Sequence, residues 1–135
     1  MSTTAQLAKR ISLESPTPDL LHDLHTVVNQ PETASSIVSA MLSQYQMSLR
    51  AQEAACSVME RLEKIAEADP ELGCGLMAHL WVIASQIDGA FDVTDAIDLW
   101  LANTNTVAIE SQLRYIAETS KEKHVIEHFR NMAKM

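Results

Sequence analysis

The sequence predicts an all-α fold, an irregular bundle of six or seven helices forming a single domain over residues 1–135. Three features predict it. Gly73, Gly75 and Gly89 are the only glycines, too few for the turns of a β-meander. Apolar residues make up 47 % of the chain but aromatic residues only 4 %, so Ala, Leu, Ile and Met must fill the core, a composition that suits helix packing. Prolines also stand where helices begin, Pro18 after Thr17 and Pro70 after Asp69.

Residues 3–14 are expected to form a short helix with Leu7 and Ile11 apolar, and residues 1–16 are a candidate flexible arm. Ser15-Pro16-Thr17-Pro18 ends that helix, and Thr17 is a suitable N-cap for the next. There Leu20, Leu21, Leu24, Val27 and Val28 trace one apolar face, and Asn29-Gln30-Pro31 stops it.

Between Pro31 and Pro70 there is neither Gly nor Pro, and the spacing predicts one long helix over about residues 33–68. Glu32 to Asp69 as continuous helix would span ~57 Å at 1.5 Å per residue. A compact chain of this size has a radius of gyration of ~14 Å, about 37 Å across. The segment must break, run along an elongated bundle, or project toward a partner. Its first half is serine-rich, and serine competes for backbone hydrogen bonds. A kink is therefore expected near Gln46–Ser48. The second half is stronger helix, with Ala54, Ala55, Val58, Leu62, Ile65 and Ala66 in a broad stripe.

Asp69-Pro70-Glu71 is a clear helix start. The helix to about Gln86 is apolar nearly all round, which places it in the middle of the fold. Gly73 and Gly75 within it point to close approach of a neighbouring backbone. Asp88-Gly89 reads as a turn, Asp92 or Thr94 as the cap of a short helix to about Ala102, and Asn103–Thr106 as a second turn. Val107, Ile109, Leu113 and Ile116 mark another helix. Ser120 is the expected cap of a last one, in which Val125, Phe129, Met132 and Ala133 share a face.

The net charge of −8 is unevenly spread. No Lys or Arg lies between Lys64 and Arg114, an interval with eight acidic residues, including Asp88, Asp92, Asp95 and Asp98. From Arg114 onward five basic residues meet three acids, a balance of +2. Such a chain repels nucleic-acid phosphates, so direct DNA or RNA binding is not expected. It suits a basic protein partner, or a dimer in which the acidic middle of one copy meets the basic tail of another. No apolar run reaches the ~18–20 residues of a membrane span. The first residues also lack the apolar stretch of a signal peptide. The expectation is a cytoplasmic protein, with Cys56 and Cys74 as buried thiols in a reducing compartment.

His124-Val125-Ile126-Glu127-His128 matches H-x-x-E-H, the pattern of inverted zinc proteases. Those enzymes take a further acidic ligand well downstream, and here only seven residues follow, so a solvated helix face is the simpler account. His22 and His25 form a second pair, and four histidines could build an interhelical metal site if their helices meet. The Glu-x-x-His pairs of di-iron bundles are absent. Asp88, Asp92, Asp95 and Asp98 lack the alternate spacing and sixth-position glycine of a calcium loop. They fit turn and helix-start chemistry, or an acidic patch for a basic partner. His79 reads as a core histidine with a hydrogen-bond partner. No glycine-rich phosphate loop or nucleophile motif occurs, so neither catalysis nor a cofactor is expected.

The expected function is that of a non-catalytic interaction module, an adaptor, chaperone, inhibitor or immunity-type protein. Met47, Asp88, Asp92, Asp95 and Asp98 are its candidate partner-binding residues. Two alternatives stand beside it: a metal- or ligand-binding protein using His22, His25, His124 and His128, and an acidic decoy for a basic nucleic-acid-binding protein.

Overall fold

The computed structural model describes residues 3–28, 30–104 and 106–133. They form eight helices and no strand: α1 (Thr4–Leu13), α2 (Pro18–Val28), α3 (Pro31–Gln46), α4 (Ala51–Ala68), α5 (Pro70–Ala84), α6 (Phe91–Asn103), α7 (Val107–Thr119) and α8 (Lys123–Ala133). The expected six or seven become eight because the segment after Pro31 is two helices, not one long helix. Tyr45 O accepts from both Ser48 N (3.1 Å) and Leu49 N (3.0 Å), a tightened last turn. Arg50 is then extended, and α4 restarts. The break at 47–50 overlaps the weak stretch expected at 46–48. It lets α3 and α4 pack on one another, which resolves the excess length.

Local sequence explains the other ends. Thr3 and Gln6 close a capping box on α1. Leu7, Ala8 and Ile11 are buried and α1 packs on α3, so most of the candidate arm is ordered helix. Arg61 on α4 fastens its far end, donating from Nε to Ile11 O (2.8 Å) and from Nη2 to Glu14 O (2.6 Å), carbonyls that the helix end leaves open. Thr17 Oγ1 accepts from Leu20 N at the start of α2. The side chains of Val27 and Val28, expected on its apolar face, lie outside the described residues, as do Asn29, Asn105 and the side chain of Ala133.

Asp69 is the single residue between α4 and α5. Its Oδ1 accepts from Leu72 N at 3.3 Å, and its Oδ2 pairs with His25 Nε2 of α2. So sharp a corner drives α5 across the last turn of α4. A Cβ built on Gly73 would come within 2.5 Å of the backbone of Ala66, the close approach expected of this glycine. Gly75 is different: a Cβ there meets only Gln112 Cγ at 3.8 Å.

Every residue from Leu72 to Trp81 is buried, and α5 packs against α2, α3, α4, α6 and α7. The buried residues form one apolar cluster from Leu7 to Phe129. No helix among the described residues is long and apolar enough to cross a membrane. Gly89 takes the left-handed turn at φ 81°, as Asp88-Gly89 suggested. Two expected caps fail. Neither Asp92 nor Thr94 caps α6, whose N-cap is Ala90, and Ser120 is the C-cap of α7.

Candidate functional site

α6 has two opposed stripes. Val93, Ile97 and Leu101 are buried at four-residue spacing. Phe91, Asp95 and Leu99, at the same spacing on the other side, face solvent with Asp92 beside them. Phe91 is 74 % exposed and Leu99 67 %. A Phe and a Leu so exposed gain little from the fold of the chain that carries them. The Gln52 side chain donates to Gly89 O at 2.8 Å, which ties the start of α4 to the turn before α6. Met47, 88 % exposed, stands in the turn just before α4. Met47 and the turn before α6 thus both adjoin the start of α4, one along the chain and one through Gln52.

Of the candidate acids, Asp88, Asp92 and Asp95 are exposed. Asp98 is not available in the same way, because His128 Nε2 of α8 lies 2.8 Å from its Oδ1. The His128 ring stacks on Trp81 with centroids 4.1 Å apart and 11° between planes, and Phe129 meets the same indole edge-on at 5.1 Å. His124 Nε2 lies 3.2 Å from Ser85 Oγ. The H-x-x-E-H histidines thus hold α8 against α5 and α6. His25, from the other pair, meets Asp69. No three His, Cys, Asp or Glu side chains among the described residues are placed to hold a metal ion, so the paired histidines do not build a site together.

A second feature was not foreseen. α3 and α7 both pack on α5 but leave a gap between them, a cavity of about 360 Å³. Its floor is the His79, Val82 and Ile83 stripe of α5, and Ser35 and Ser39 face Tyr115 and Ile116 across it. The signal in the sequence was Glu32, Ser35 and Ser39 at i, i+3 and i+7, one polar stripe of an amphipathic helix whose buried face is Ala34, Ile37, Val38, Met41 and Leu42. That stripe reads first as weak helix propensity, and only the position of α7 gives it another meaning.

His79 is 4 % exposed, and its Nε2 lies 2.9 Å from Gln112 Oε1. Burial pushes the imidazole below its ordinary value, and the Gln112 contact offsets part of that. The neutral form is the folded form. Its contribution to stability is complete above the unfolded value of 6.5 and is lost as the pH falls from there toward the lowered folded value. His79→Gln should flatten the decline of stability in that window by up to about 1.4 kcal/mol per pH unit. Urea titrations of both proteins at stepped pH measure the difference, and identical slopes would contradict it.

The thiols divide. Cys74 is buried, and burial pushes it up, while Cys56 is exposed, contrary to expectation. Comparison of the chain with protein-family models, curated proteins and solved structures finds no match.

Proposed function

We propose that this chain is a cytoplasmic, non-catalytic protein-interaction module, a single irregular helical bundle whose outward α6 face docks a basic amphipathic segment of a partner protein. The observation that carries the reading is the pairing of Phe91 and Leu99, both well exposed, with Asp92 and Asp95 on one helix face. Apolar anchors supply contact energy, and acids beside them select a partner with lysine or arginine at matching positions. The absence of Lys and Arg between Lys64 and Arg114 leaves that selection unopposed along the sequence.

A second copy is a partner of the required chemistry. Direct α6–α6 pairing would set Asp92 and Asp95 against their own equivalents, which disfavours it. The α7–α8 end carries Arg114, Lys121, Lys123 and Arg130, all exposed. A two-fold dimer with each α6 face on the other copy's α7–α8 end makes the contact twice and closes.

Light scattering behind size exclusion tests this arrangement. The wild type should run as a dimer at high protein concentration, and Phe91→Ser with Leu99→Ser should run as a monomer. The double variant should keep its melting temperature, because surface substitutions of this kind change stability by only about 0.5 kcal/mol. A wild type that stays strictly monomeric removes the second copy as the partner.

A further inference from the structure

The cavity between α3 and α7 shares no lining residue with the α6 face and has a chemistry of its own. Glu32, His79 and the Tyr115 phenol are its ionisable side chains, and no Lys or Arg lines it. Buried His79 supplies no positive charge at neutral pH, so a phosphate or carboxylate ligand would meet no cation there. An ammonium group, by contrast, carries two or three N–H donors and needs acceptors. Glu32, Ser35 and Ser39 offer them from one stripe of α3. No described residue hydrogen-bonds to the carboxylate of Glu32 or to the hydroxyls of Ser35 and Ser39. Across the gap, Tyr115 offers an aromatic ring, a surface that attracts a cation. Val82, Ile83 and Ile116 make the inner wall apolar. A volume of about 360 Å³ falls in the range of small-molecule sites.

The geometry points to a binding site for a small organic amine: a protonated primary or secondary amine at the Glu32, Ser35 and Ser39 side, carrying an aromatic or alicyclic body against Val82, Ile83 and Ile116. This assignment stands apart from the partner-docking role of α6, and neither depends on the other.

The test uses two probes with the same body and opposite charge, 2-phenylethylamine and 3-phenylpropionate, titrated into isotope-labelled full-length protein and followed by amide chemical shifts. The amine should give saturable shifts at residues 35, 39, 82 and 115, and the acid none. Glu32→Gln, an exposed change, should weaken the amine by roughly two- to fivefold, the range of a solvent-exposed ion pair. Val82→Trp should fill the cavity and abolish binding. No saturable shift with the amine at millimolar concentration would overturn the assignment. So would equal binding of the acid, or an unchanged affinity in Glu32→Gln. Should Val82→Trp fail to fold, the charge-matched probes and Glu32→Gln still decide the matter.

Discussion

Gly73→Val is expected to leave the chain unfolded, and Gly73→Ala to lower its stability by about 3 kcal/mol or more, at the upper end for overpacking. The reason is the one-residue corner at Asp69. With α4 ending at Ala66–Ala68 and α5 starting at Pro70, the two helices cross where Ala66 and Gly73 meet. A Cβ on Gly73 would lie 2.5 Å from N, Cα and Cβ of Ala66, and backbone cannot swing aside as a side-chain tip can. Relief would require moving α5, which packs on α2, α3, α6 and α7 and holds α8 through Trp81. A domain is stable by only roughly 5–15 kcal/mol, so the branched residue exceeds what the fold can absorb. Gly75→Ala is the control. Its Cβ would have ordinary contact distance, and replacing glycine by alanine in a helix interior contributes about 0.5–1 kcal/mol of stability. Denaturant unfolding of the two alanine variants should give shifts of opposite sign. Shifts of the same sign and size would contradict the crossing geometry.

Phe129→Ala is expected to cost about 3–5 kcal/mol and to release α8. Phe129 is fully buried, and Trp81 is its edge-on neighbour at 5.1 Å. The principal helix contact of α8 is with α7, so Phe129 and the His128 stack on Trp81 are what tie it to α5. The variant should show faster proteolysis at residues 120–123 and a red-shifted tryptophan emission as the indole is wetted. Phe129→Leu, which keeps most of the apolar volume, should retain the wild-type cleavage pattern. A loss under ~1 kcal/mol for Phe129→Ala would mean that α8 is not anchored through this contact.

Much of this architecture is legible in the residues. Thr17-Pro18 and Asp69-Pro70 mark helix starts by chemistry that acts within three residues, so sequence alone places them. The same holds for Gly89, whose turn needs a positive φ. The split of the long segment is half legible. Weak propensity near Ser48 gives the location, but only packing of α3 on α4 decides between a bend and a full break. Gly73 and Gly75 look alike in sequence, and their difference comes from Ala66 approaching one of them across the corner.

The candidate sites divide along the same line. Asp88, Asp92 and Asp95 are exposed as a partner surface needs, whereas Asp98 is engaged by His128 from a helix 30 residues away. Phe91 and Leu99 count as ordinary apolar residues until the inner stripe of α6 is known. The cavity is lined from α3, α5 and α7, and the one trace along a single helix, Glu32, Ser35 and Ser39, says nothing of the other two walls.

The most direct measurement of the docking role is a titration with a designed helical peptide carrying lysine and leucine at four-residue spacing, against a control with glutamate in place of lysine. Fluorescence anisotropy of the labelled peptide is followed for the wild type and for Phe91→Ser/Leu99→Ser, in which every charge is kept. The lysine peptide should bind saturably and more weakly as salt rises, bind the double variant at least tenfold more weakly, roughly 1.4 kcal/mol or more, and the glutamate peptide should not bind. Equal affinity of the lysine peptide for the wild type and the double variant would contradict the docking role, because the attraction would then be diffuse charge alone and the α6 face would not be where the partner sits.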